Sequence, residues 1–133
     1  MKVLNDIIVD KNYTFSYRDK YNTQCQCAEC TLFRSHFSNT YPQLASFLTN
    51  LGVDIYYPIE IMDMGINDKI LKREYITYYA VKGYLPTPKM YRTIENVTIT
   101  MRNHEIAKEA YANTGMETPF FIVELSNLYL EDI

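Results

Sequence analysis

All three cysteines of the chain fall within six residues, in the run Cys25-Gln26-Cys27-Ala28-Glu29-Cys30. Three sulfurs so close together admit three explanations. Cys-x-Cys-x2-Cys brings several thiolates through one tight turn, as a soft divalent ion such as zinc requires, and a structural zinc held by Cys25, Cys27 and Cys30 is the first. A CxxC at a helix N-terminus is also the arrangement that lowers a thiol pKa, with Cys27 as attacker and Cys30 as resolving thiol. That second explanation lacks its usual β-α-β setting and leaves Cys25 without a role. The third is packing, since free cysteine behaves as a small apolar residue.

The zinc explanation needs a fourth ligand, and His36 is the nearest histidine. Six residues at 100° each place it about 240° round a helix from Cys30 and ~9 Å along the axis. His36 can therefore serve only if Cys30 precedes the first helical turn. His104, Glu29 or a water are the other candidates.

A second set of residues has the chemistry of an interface. Residues 66–92 carry six basic and two acidic side chains, whereas residues 93–133 carry two basic and seven acidic. The basic stretch interleaves Lys69, Lys72, Arg73, Lys82, Lys89 and Arg92 with Tyr75, Tyr78, Tyr79, Tyr84 and Tyr91. Cations for phosphates and rings for bases are the ingredients of a single-strand nucleic-acid platform. The same residue types anchor protein interfaces, and the candidate partner face is Lys72, Arg73, Tyr75, Tyr79, Lys82 and Tyr84. Alternatively the basic middle meets the acidic tail within the fold or in a second copy, and the 13 tyrosines pack a sheet with ring inside and hydroxyl wet.

Other chemistries find no support. With four glycines, neither GxGxxG nor GxxxxGK[ST] occurs, and HExxH, the nucleophile elbow and the EF-hand loop are equally absent. Two histidines leave little for an imidazole acid-base centre.

The elements that must position these residues are legible in part. Val3–Val9 and Tyr13–Tyr17 alternate weakly and read as one or two strands, followed by a polar loop over 18–26. Cys30, Phe33 and Phe37 fall at i, i+3, i+7, which predicts a helix ending near Ser38. Pro42 opens a second helix, with Leu44, Phe47, Leu48 and Leu51 on one stripe, Thr40 or Tyr41 as cap and Gly52 at its stop. A period of two then predicts strands over 55–62, 74–84, 97–102 and 120–129. Asn103 can cap a short helix between the last two, closed by Asn113-Thr114-Gly115.

The 133 residues suit one α+β domain, a mainly antiparallel sheet of four to five strands against two early helices and one short later one. Steady β-α alternation is missing, so parallel winding is not expected. No apolar run approaches the ~20 residues of a membrane span, and Asn5 and Asp6 interrupt the place where a signal peptide is apolar. The expectation is a cytoplasmic protein that does not engage a membrane.

The run Cys25-x-Cys27-x2-Cys30 with Phe33, then Tyr41-Pro42-x-Leu44-x2-Phe47-Leu48-x2-Leu51-Gly52-Val53-Asp54 and Pro58-x-Glu60, resembles a group of small uncharacterised proteins of Gram-positive bacteria. The resemblance covers roughly residues 25–60 and implies a compact bacterial domain without implying an activity. The expected function is a non-enzymatic domain that binds a macromolecule, with a protein partner or second copy ahead of nucleic acid, and with zinc held by the thiols. A thiol enzyme or redox switch is the alternative.

Overall fold

The computed structural model describes residues 2–4, 6–19, 27–107 and 115–131. It is an α+β fold in which every strand pairing is antiparallel. Among the described residues there are seven strands rather than four or five. They are β1 (Lys2–Leu4), β2 (Ile7–Val9), β3 (Glu60–Ile66), β4 (Arg73–Tyr84), β5 (Lys89–Ile94), β6 (Val97–Asn103) and β7 (Phe120–Leu130). The order is β1-β2-β4-β7-β6-β5, with β3 also paired to β4. The helices are α1 (Lys11–Ser16), α2 (Ala28–Thr40), α3 (Pro42–Asn50) and the single turn α4 (His104–Ala107). No helix among the described residues is long and apolar enough to cross a membrane.

β4 is the spine, and its alternation is the expected one. Tyr75, Thr77, Tyr79 and Val81 are buried on one face, where Phe33 and Phe37 of α2 and Leu44 and Leu48 of α3 cover them. Tyr78 and Ala80 are buried on the other face with Phe120, Ile122, Tyr17 and Ala107. The sheet is thus packed on both sides, each fully buried large apolar side chain contributing about 1.5–3 kcal/mol relative to exposure.

Three buried tyrosines do not leave their hydroxyls wet, as the sequence suggested. Tyr75 donates to the Glu29 carbonyl (2.8 Å), Tyr79 to the Ile55 carbonyl (2.7 Å) and Tyr41 to the Tyr129 carbonyl (2.9 Å). Each ties a helix or loop to the sheet through a backbone group, because a buried hydroxyl without a partner is costly.

Residues 13–17, expected as strand, lie in helix and a following 3₁₀ turn. The Asp10 carboxylate accepts the Tyr13 N–H (3.0 Å) and starts α1, a cap that outweighs a weak alternation. Residues 55–59, also expected as strand, are a turn and irregular chain, and β3 begins only at Glu60. There the Asp54 carboxylate takes the Tyr56 N–H (3.1 Å) and the Asp54 carbonyl the Tyr57 N–H (3.0 Å), capturing the amides a ladder would need. The short helix expected after Asn103 is present as α4, directly following it; Asn103 itself ends β6, accepts the Leu85 N–H (3.0 Å) and donates to the Thr87 carbonyl (3.3 Å), fixing the turn after β4. The expected close of that helix at 113–114 lies outside the described residues.

α3 starts at Pro42 as expected, but neither Thr40 nor Tyr41 supplies a side-chain cap. The Glu95 carboxylate reaches over from the β5–β6 turn instead and accepts the Leu44 N–H at 2.8 Å. At its other end Gly52 (φ +89) adopts the left-handed conformation, with Val53 N–H bonded to the Leu48 carbonyl (3.0 Å). Gly83 (φ +146) lets β2 approach β4, since a Cβ there would sit 1.9 Å from the Ile8 carbonyl oxygen.

Candidate functional site

Cys27 and Cys30 occupy the start of α2. Cys27 is the N-cap, and its Sγ accepts the Cys30 N–H at 3.4 Å. Its side chain is exposed, whereas Cys30 is buried one turn on, beside the start of the Phe33–Phe37 stripe. The two thiols therefore share one helical turn but stand in different surroundings. Cys25 lies outside the described residues.

His36 is not brought to the thiols. α2 takes in both Cys30 and His36, which puts the imidazole about 240° round the helix from Cys30. Among the described residues no three His, Cys, Asp or Glu side chains come together as a metal-binding group. His104, the other candidate, sits on α4, its Nδ1 3.3 Å from the Phe120 carbonyl and its ring stacked at 5.4 Å on Phe120. Glu29 is in the first turn of α2, and its carbonyl is held by Tyr75.

The expected partner face on β4 is divided by the sheet. Tyr75 and Tyr79 are core residues, so they cannot meet a partner. Lys72 pairs with Glu131 (3.4 Å), and the Arg73 guanidinium holds both oxygens of Asp63 (2.9 and 2.8 Å). The Lys82 ammonium donates to the Glu117 and Thr118 carbonyls (3.0 and 2.9 Å) and lies over the Tyr13 ring (5.2 Å). Tyr84 is the exposed ring of the six. Lys72 precedes β4, and the other five share that strand but not a surface, because a period of two sends neighbours to opposite faces. Lys72 and Glu131 join the basic middle to the acidic tail within one fold.

A different surface gathers along β3. This strand pairs only with β4, so its outer edge is unpaired among the described residues. Met64 and Ile66 of β3 and Ile70 and Leu71 of the following turn are exposed and make up an apolar ridge; Met62 is exposed as well, but a register shift after Asp63 leaves it on the opposite face from Ile66. Leu71 is 75% exposed and Met64 50%. Leu71 also has φ +61, a backbone conformation that side chains branched or bulky near Cβ seldom adopt. The turn that holds it there is firm: the Asn67 carboxamide oxygen accepts the N–H groups of Lys69 and Ile70 (3.0 Å each), and the Asn67 carbonyl accepts the Leu71 N–H (2.7 Å). The sequence reading ended this strand at residue 62, whereas β3 runs on to Ile66, so Met64 and Ile66 were missed.

A register shift between Asp63 and Ile66 puts one extra residue into β3 relative to β4. Such a bulge twists an edge and discourages the addition of a further strand. What β3 offers beyond Asp63 is side chains rather than a ladder.

No family model, no curated protein and no solved structure matches the chain.

Proposed function

We propose that the protein is a non-catalytic binding domain whose partner is another protein, received on the exposed apolar residues Met64, Ile66, Ile70 and Leu71. The observation that carries this reading is Leu71, an apolar side chain left 75% in water on a left-handed backbone that a hydrogen-bonded turn enforces. Leucine at positive φ costs the free protein stability, and its exposed side chain gains free energy separately when a partner buries it. Met64, exposed in the strand that leads to this turn, suits a pliable contact, since thioether side chains adapt to an opposing surface. The bulge argues for a partner that meets these side chains rather than one that adds a strand. Selection of displayed peptides on the wild-type protein, counter-selected on Leu71→Glu, tests the reading. Apolar peptides that bind wild type, protect the 64–71 amides from exchange and are lost on Leu71→Glu are expected; peptides indifferent to that substitution would remove it.

Zinc enters the same proposal as a clasp, with Cys25, Cys27 and Cys30 as thiolate ligands and the fourth position filled by a group other than His36. Its support is the spacing in the sequence together with the placing of Cys27 and Cys30 on one helical turn. Elemental analysis of protein purified without added metal should find about one zinc per chain and a melting temperature lowered by chelation. Metal-free protein of unchanged stability would exclude it.

A further inference from the structure

An open cleft of about 550 Å³ lies between α1, the end of α3 and residues 52–56. That is the size of ordinary small-molecule sites, which run from about 300 to 1,000 Å³. Its walls are mainly apolar and include Val53, Ile55 and two aromatic residues that remain half in water, Phe15 (45% exposed) and Tyr56 (49%). Half-exposed rings in an apolar wall offer faces on which a flat hydrophobic body can stack.

The charges at the rim narrow the choice. Lys11 lines the cleft, and among the described residues no carboxylate is within ion-pair distance of it. Asp54 also lines the cleft, but its carboxylate is engaged by the Tyr56 N–H. One cation with one anion nearby favours a singly charged anion over a dianion, since the second negative charge would meet Asp54 rather than another lysine. Gly52 builds the corner: a Cβ there would stand 2.6 Å from the Lys11 carbonyl oxygen and 2.7 Å from its Cα. Glycine at this position lets the first turn of α1 close onto the end of α3, which fixes Lys11 at the cleft rim.

We propose that this cleft binds a small aromatic monocarboxylate, its ring system against Phe15 and Tyr56 and its carboxylate on the Lys11 ammonium. The site is separate from the β3 ridge, so neither reading depends on the other. Biphenylcarboxylate, biphenylcarboxamide and biphenylphosphonate are the probes, titrated into the full chain and followed by backbone amide NMR. Saturable shifts of the Phe15, Gly52 and Tyr56 amides are expected with the carboxylate, and about tenfold weaker binding with the neutral amide, the difference a charge-assisted hydrogen bond makes. Lys11→Gln should bring carboxylate down to the level of the amide. Tyr56→Ala should weaken both. Equal binding of carboxylate and amide to the wild-type protein would overturn the proposal without any variant, as would tighter binding of the phosphonate, shifts confined to other residues or no saturable binding of any probe.

Discussion

The Tyr41 hydroxyl engages both backbone groups of Tyr129, donating to its carbonyl and accepting its N–H, each at 2.9 Å. The pairing of β6 with β7 stops at Ser126, after which β7 would run on with one side open. Tyr41, at the junction of α2 and α3, stands in for the missing strand. Tyr41→Phe keeps the ring and orphans the two groups, so a loss of about 2 kcal/mol is expected. In a thermal melt that is a fall of roughly 6 °C. A melting temperature unchanged within error would mean that water replaces the hydroxyl at no cost.

Burial pushes the Tyr79 phenol well above its ordinary value of 10.0, with the nearby Asp54 charge adding to the effect; burial also raises Tyr41. The folded protein therefore retains these protons at pH values where the unfolded chain has released them. Stability is complete below pH ~10 and falls as the pH rises above it. Urea unfolding at a series of pH values should show that decline, and Tyr79→Phe should make it shallower while lowering stability at neutral pH, since the Ile55 carbonyl loses its donor.

Glu95 is a helix cap supplied from another element, and its own backbone is left-handed (φ +52). Two opposed effects can be separated there. Glu95→Ala should cost about 1 kcal/mol by removing the cap and keeping the strained backbone. Glu95→Gly removes the cap but relieves the backbone, so it should cost less than alanine does. Glu95→Gln retains an acceptor and should stay closest to wild type. Urea midpoints in any other order would show that the contact with Leu44 does not hold α3.

Native-state alkylation should distinguish the two described thiols. Cys27 is exposed and Cys30 buried, so peptide mapping after brief treatment should find Cys27 modified first. Equal rates would mean that the first turn of α2 opens on the timescale of the reagent.

How far the sequence disclosed this arrangement follows from the range over which each signal acts. α3 was readable because Pro42, the Leu44–Leu51 stripe and Gly52 are local and agree. β4 was readable because Tyr75, Thr77, Tyr79 and Val81 alternate over a long run with core on both sides. α1 was misread although Asp10 stood three residues before Tyr13, the spacing of a cap. β5 was missed because its alternation mixes Lys89, Tyr91 and Thr93 with Met90, Arg92 and Ile94, and only the latter set includes side chains packed on the core. The cap from Glu95 was beyond reach, since it joins residues 51 apart. The interface residues failed for a related reason: composition assembled Tyr75 and Tyr79 with Lys82 into one face, and the pleat sent the rings inward and the lysine outward.

The middle of β4 is covered on both sides, one by α2 and α3, the other by Tyr13, Tyr17 and Ala107. A visitor to the described part of this protein must therefore arrive at its margins. The β3 ridge and the cleft beside α1 are two such margins, on separate elements, and remodelling one need not disturb the other. An engineer could rewrite either border while leaving the interior untouched.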